Sequence, residues 1–280
     1  MLTSPAMLYD GKTPPIPKRL LKEPIAVNSN SGIRRRFSRS AKSYDDNAAI
    51  QRRVAARLCA LIDDPEPKQC LELGCGTGFL SLCLLEKYQS STFTLTDISP
   101  DMLAETRTKL EQHQPPFAQN ITLKPLDFRE LTTPPTEQAE RYDLITASMV
   151  IHWGDNILNT LSAISQHLTE NGRFYYSTIG PNTFKEWQQT LNSCGLKSGL
   201  RLPPHLPGII ETETITTKHN SAASFLNELR RTGAHGPRQD YTPLTHRELK
   251  RAMNALEQNH NAALTWEIKY GCLTAWQNSV

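Results

Sequence analysis

Between about residue 69 and residue 178, short apolar runs alternate with stretches of helical periodicity. Cys70-Leu-Glu-Leu73, Thr92-Phe-Thr-Leu-Thr96, Ile121-Thr-Leu-Lys-Pro-Leu126, Tyr142-Asp-Leu-Ile-Thr146 and Arg173-Phe-Tyr-Tyr-Ser177 read as strands. Strands that alternate with helices predict an α/β fold, a parallel sheet with crossover helices on both faces. One helix leads into this region, with Ile50, Val54, Ala55, Leu58, Leu61 and Ile62 on a single face. A second, ahead of the fifth strand, carries Ile157, Leu161, Ile164 and Leu168, with Asn171-Gly172 as its expected stop.

Beyond about residue 182 the pattern loosens. Gly208 to His219 reads as a strand, and Leu264, Trp266, Ile268 and Tyr270 alternate with Thr265, Glu267 and Lys269 as a half-buried one. Two helices are expected between them, the second opened by a Thr245-His-Arg-Glu248 capping box and striped with Leu249, Ala252, Met253 and Leu256. An insert of this kind, over about 220–260, is expected to sit as a lid over the carboxyl edge of the sheet, where open α/β sheets bind ligands. Residues 1–32, with Pro5, Pro14, Pro15, Pro17 and Pro24 and little apolar periodicity, have the composition of a mobile tail; 33–280 form the expected domain.

Composition narrows the classes. With 31 basic and 28 acidic residues the net charge is +3, far from that of a dedicated nucleic-acid binder. The six cysteines form no CxxC pair and have no histidine at zinc-finger spacing, so neither a disulfide framework nor a structural metal is signalled. No apolar run is long enough to cross a bilayer and no leader is evident, so a cytoplasmic protein with reduced thiols and no membrane partner is expected.

The sharpest chemical signal is Leu71-Glu-Leu-Gly-Cys-Gly-Thr-Gly78, a strand running into a glycine-rich turn at the head of a helix. Phe79 stands where the dinucleotide fingerprint needs its third glycine, and no Gly-Lys-Ser/Thr follows as a phosphate loop requires. A tight turn without a ligand accounts for three glycines taken alone. The neighbouring strand ends add more: Asp97 closes the second strand about 20 residues on, where an acidic side chain can accept both hydroxyls of a ribose. Asp127-Phe128 closes the third, with an acceptor and an aromatic face for an adenine. A lone Asp at a strand end is more often a turn former or helix cap; Glu72, Asp97 and Asp127 in succession are harder to explain that way.

These residues together resemble the class I S-adenosylmethionine-dependent methyltransferases, whose fold is a doubly wound, Rossmann-like, seven-stranded and mostly parallel sheet with a helical insert between the last two strands. The resemblance implies that Glu72, Gly74 and Gly76 hold the methionine part of S-adenosyl-L-methionine, Asp97 its ribose, and Asp127 and Phe128 its adenine, with Ile98 and Ser148 completing the cofactor-binding set. A carboxylate near the loop matches a ligand that carries a sulfonium and an ammonium.

Over about 33–276 the chain is also similar to the malonyl-[acyl-carrier protein] O-methyltransferases of biotin biosynthesis. The echoes are Arg35-Arg-Phe-Ser-Arg-Ser-Ala-Lys-Ser-Tyr44 with Asp45 and Gln51, His152-Trp153, Arg201-Leu-Pro-Pro204, Leu229-Arg-Arg-Thr-Gly-Ala234, Leu244-Thr-His-Arg-Glu-Leu249 and the last strand. That resemblance implies transfer of a methyl group to the free carboxylate of a malonyl thioester on acyl carrier protein. It places Tyr44 over the cofactor and Arg201 on the acceptor carboxylate, with His152 and Trp153 as pocket wall. The bland alternatives are packing for Phe37, Tyr44, His152 and Trp153, and a surface arginine ahead of a Pro-Pro turn for Arg201. A methyltransferase of another small acid or a quinone, or a protein that binds the cofactor without methylating, are the competing functions.

Overall fold

The computed structural model describes residues 30–113, 120–131, 140–154, 156–203, 205–232 and 241–275. The proline-rich stretch before residue 30, Pro204 and the Gly233-Ala234 end of one echo lie outside the described residues. Two helices, α1 (Asn30–Asn47) and α2 (Ala49–Leu61), precede a doubly wound unit. It comprises β1 (Gln69–Leu73), α3 (Phe79–Lys87), β2 (Thr92–Asp97), α4 (Pro100–His113), β3 (Ile121–Pro125), β4 (Tyr142–Ser148), α5 (Ile157–Ser165) and β5 (Leu168–Ile179). The chain continues through α6 (Lys185–Ser193), β6 (Ile209–Lys218), α7 (Ala222–Arg231), α8 (His246–His260) and β7 (Ala263–Thr274).

All seven strands join one sheet in the order β3-β2-β1-β4-β5-β7-β6. The strands β1 to β5 pair in parallel, and β7 runs antiparallel to both β5 and β6. The winding reverses between β1 and β4, which opens a crevice at the carboxyl ends of those two strands. One face of the sheet is covered by α2 and α3 through Val54, Leu58, Leu80 and Leu84, and further along by Trp187, Phe225 and Leu256 of α6, α7 and α8. The other face packs Leu73, Ile145 and Phe174 against Leu161 and Ile164 of α5.

Three local features depart from the sequence expectations. Helix α1 forms on a narrow stripe in which Ile33 and Ala41 are buried, with Phe37 and Tyr44 on the same side. Helix α5 stops at Ser165, and Leu168 already pairs with Tyr142 in β5. Asn171-Gly172 therefore lies inside a strand, in the bulge between the Tyr142 and Leu144 pairings. Gly172 is needed there, since a β-carbon would stand 2.7 Å from the Tyr142 carbonyl oxygen. Finally, β7 is buried on both faces: Thr265 and Glu267 are as enclosed as Trp266, because β7 is an interior strand and the 180–186 segment covers its polar side. Glu186 accepts from the backbone N–H and hydroxyl of Thr265, and Glu267 accepts from the backbone N–H and the amide of Asn182.

The insert divides into two parts. Helix α8, with its Thr245/Glu248 capping box formed, packs on α6. Helix α7 instead turns its carboxyl end toward α1, where Arg231 donates to the side chain of Asn47.

Candidate functional site

The turn after β1 is built from backbone that side chains resist: Gly74, Gly76 and Gly78 have φ of +63°, +57° and +88°. A β-carbon on Gly74 would collide with Val150, whereas one on Gly76 would meet no protein atom within 4 Å, so open space lies over the turn at that point. The turn is tied to β2 by Asp97, whose Oδ2 accepts the Gly76 N–H at 3.0 Å and whose Oδ1 accepts the Ser99 N–H at 2.7 Å. Burial pushes the Asp97 carboxyl up to about 6, and those two N–H groups hold it from rising further.

Above the turn is a partly enclosed chamber. Asp97 and Ile98 of the β2 end, Leu126, Asp127 and Phe128 after β3, and Ser148 of β4 form its floor. Helix α1 closes it with Ile33, Phe37 and Tyr44. The residues fit S-adenosylmethionine. Open space over Gly76, two carboxylates, and Ile98, Leu126 and Phe128 as apolar surfaces for a base match a ligand that joins a cation, a ribose and an adenine.

A second chamber adjoins the first. Phe37, Tyr44, Met149 and Trp153 line both, so the two share a wall made by α1 and the loop after β4. Met149 holds a φ of +57°, a costly conformation for a residue with a side chain, and its N–H is satisfied by the carbonyl and hydroxyl oxygens of Ser177. The second chamber is otherwise apolar, bounded by Phe184, Leu200, Leu229 and Trp266, apart from Gln51, Thr232, His152 and Arg201. The His152 ring lies 3.2 Å from the Thr178 hydroxyl through Nδ1. Burial, and secondly the charge of Arg201, push its pKa down to about 4, so the imidazole is neutral near pH 7. Arg201 is half-buried and donates to the Trp153 carbonyl at 3.3 Å.

The structure therefore brings Tyr44, Gly74, Gly76, Asp97, Ile98, Asp127, Phe128 and Ser148 to the first chamber, and Tyr44, His152 and Arg201 to the second. Glu72 is not on either wall. It is 2% exposed, sits behind the turn and accepts from the Ser81 hydroxyl at 2.7 Å. Burial raises its carboxyl to about 8 against the opposing pull of that hydroxyl. The phenol of Tyr44 is raised well above its ordinary value by burial, and then by Asp97 and Asp45, so it keeps its proton.

Several wall residues were not anticipated. Arg129 grips Asp127 from two residues away, and only its closeness in sequence hinted at that. Met149 and Val150 follow the predicted fourth strand, the place where an α/β sheet builds its crevice, and position alone was their signal. Phe184, Leu229 with Thr232, and Trp266 come from three separate segments beyond residue 182 and converge only in the fold.

Comparison with known proteins agrees with this geometry. A family model described as a methyltransferase domain matches residues 71–174. The malonyl-[acyl-carrier protein] O-methyltransferase of Magnetococcus marinus is 29% identical over 88% of this chain and 93% of its own length. The enzyme of that name from a Paenibacillus species is 30% identical over 66% of this chain and 68% of its own. Among solved structures, the YcgJ protein of Bacillus subtilis superposes with a TM-score of 0.52 at 12% identity, covering 79% of this chain and 96% of that one, a likeness of fold.

Proposed function

The chain belongs to the malonyl-[acyl-carrier protein] O-methyltransferase family, and we propose that it transfers a methyl group from S-adenosylmethionine to the free carboxylate of malonyl-acyl carrier protein. The resulting malonyl methyl ester enters biotin synthesis as a primer whose charged end is masked. The observation that carries this reading is the pair of chambers with a common wall, one holding carboxylates for a cationic cofactor and the other a single arginine for an anionic acceptor.

When bound, the cofactor supplies an electrophilic methyl group on a sulfonium. The chain's own residues hold and orient. Asp97 takes the ribose hydroxyls, Asp127 and Phe128 the base, and Ile98 and Ser148 the flanks of the nucleoside. Gly74 and Gly76 let the backbone approach the methionine part, while Glu72, protonated and behind the turn, braces the turn through Ser81. Tyr44, at the common wall, covers the methionine end and keeps water from the junction.

The acceptor requires no base, because a carboxylate ionises near pH 4 and is already a nucleophile at neutral pH. A neutral His152 and a protonated Tyr44 agree with that: neither supplies a negative charge or needs to accept a proton. Arg201 is the anchor. An anion entering an apolar chamber unpaired costs several kcal/mol, and a guanidinium fork both compensates the charge and aims one oxygen. Transfer joins a cation and an anion into neutral products, so exclusion of water by Phe37, Trp153, Phe184 and Trp266 favours it. Within the insert, α7 is the part that acts as a lid, through Leu229 and Thr232 beside its end. Six free thiols suit a reducing compartment, and we place the enzyme in the cytoplasm.

The test is incubation of the purified protein with methyl-labelled cofactor and, separately, malonyl-acyl carrier protein, malonyl-coenzyme A, aconitate and a quinone precursor. Label on the malonyl carboxylate is expected. Label on aconitate or the quinone alone overturns the acceptor, and label on none overturns methyl transfer in favour of cofactor binding.

A further inference from the structure

The carboxylate that closes β3 is already engaged by its own chain. Arg129 Nε donates to Oδ1 of Asp127 at 2.8 Å and Nη2 to Oδ2 at 2.6 Å, a bidentate fork. The backbone N–H of Arg129 also donates to Oδ1, at 3.1 Å. The side chains of Arg129 and Asp127 are only 11% and 5% exposed, and both residues line the first chamber. An ionised carboxylate offers about four acceptor positions. Two donors fill Oδ1 and one sits on Oδ2, so a single acceptor position, on Oδ2, is left for a ligand.

We propose that Arg129 is a positioning residue for base recognition: by holding Asp127 in a fork it leaves one fixed acceptor for an exocyclic amine and so selects a 6-amino purine over a 6-oxo purine. The inference rests on the reading that Asp127 meets the base of the cofactor. A 6-amino purine offers an N–H at its exocyclic position. A 6-oxo purine offers an oxygen there, which faces a carboxylate oxygen with nothing to donate, and its nearest N–H lies on the ring instead. A carboxylate free to turn about its side-chain torsion can move to that ring N–H; one clamped through both oxygens cannot. Without its guanidinium the enclosed Asp127 charge has lost its fork, so the carboxylate reorganises toward whatever donors remain.

The experiment is calorimetric binding of S-adenosylhomocysteine and of its deaminated counterpart, S-inosylhomocysteine, to the full chain, its Arg129→Lys variant and its Arg129→Ala variant. Lysine keeps the charge but cannot make the fork. The wild type is expected to prefer the adenosyl ligand, and the preference is expected to shrink by about tenfold or more in both variants, the scale of one hydrogen bond to a charged group. Thermal melting shows whether each variant is folded, and Arg129→Lys carries the test if Arg129→Ala does not fold. A merely structural role weakens both ligands alike and leaves the ratio unchanged, which overturns the proposal. Tighter adenosyl binding in Arg129→Ala also overturns it, since Arg129 then competes with the base. Failure of the wild type to bind either ligand removes the cofactor reading itself and this proposal with it.

Discussion

Thr77, inside the glycine turn, donates its hydroxyl to Oδ1 of Asp45 at 2.6 Å, and so joins the floor of the cofactor chamber to the helix that covers it. The other oxygen of Asp45 pairs with Lys109 of α4 at 2.5 Å. Higher on α1, the hydroxyls of Ser38 and Ser99 meet at 2.9 Å. Helix α1 thus rests on the core through polar contacts along one edge and through Ile33, Phe37 and Tyr44 over the chamber.

Asp45→Ala removes the hydrogen bond and the ion pair together. The pair is partly exposed and contributes little, and the bond to the buried Thr77 contributes about 1 kcal/mol. We expect S-adenosylhomocysteine to bind roughly fivefold more weakly, with the melting temperature changed by only a few degrees. Unchanged affinity by calorimetry means that α1 stays in place without this contact.

If Arg201 anchors the acceptor, its fork should matter more than its charge. Arg201→Lys should lose about tenfold or more in kcat/KM for the malonyl substrate, and Arg201→Ala more still, while affinity for S-adenosylhomocysteine stays within about twofold. Full activity in Arg201→Ala would strip the second chamber of its anchor and reassign the acceptor.

Glu72 makes a pH prediction with a definite sign. In the folded chain it keeps its proton up to about 8, against an ordinary 4.5. Between those values the folded state binds the extra proton, so this residue's contribution is full below 4.5 and is lost as pH rises toward 8. Glu72→Gln keeps an oxygen for Ser81 and removes the ionisation. The melting temperature of the variant should therefore gain on that of the ligand-free wild type as pH is raised from 5 to 8. His152, lowered to about 4, slopes oppositely, is common to the two proteins and cancels in the difference; the charge of Asp97 is part of what raises Glu72 and enters the difference with it. Parallel melting curves would show that Glu72 ionises normally.

Gly180 leaves room for Glu267: a β-carbon there would stand 2.3 Å from Oε2. The Glu267 carboxylate holds Asn182, and the neighbouring Phe184, with φ of +54°, enters the wall of the acceptor chamber. Gly180→Ala should cost about 1–3 kcal/mol as overpacking. It should also raise KM for the malonyl substrate, with cofactor affinity preserved. A raised cofactor Kd with unchanged KM would place the effect on the wrong chamber.

The strand-helix alternation and Gly74-Cys-Gly-Thr-Gly78 were legible because period and glycine chemistry are local. So were Asp97 and Asp127 at their strand ends. Helix α1 carries little periodic signal, since its stripe of Ile33, Phe37, Ala41 and Tyr44 is one residue wide among arginines, lysine and serines. Glu267 alternates with apolar neighbours as an exposed residue does, and its burial depends on Asn182, 85 positions away. The stop of α5 is hidden because Asn171-Gly172 is turn chemistry, used here for a bulge and not for a helix end. The fork on Asp127 was invisible for another reason: a rotamer of Arg129 decides it, and no period in sequence encodes a rotamer.

The wall common to both chambers bears on how such an enzyme could be retargeted. Phe37, Tyr44, Met149 and Trp153 line both chambers, so on the proposed reading a substitution at any of them should alter the seat of the methyl donor as well as that of the acceptor. Phe184, Leu200, Leu229 and Thr232 touch the acceptor side alone, and all lie within the 179–232 stretch. Exchanging that stretch for the matching one of a relative should therefore alter which acid is methylated while leaving the donor's seat intact, which makes it a modular cassette for substrate choice.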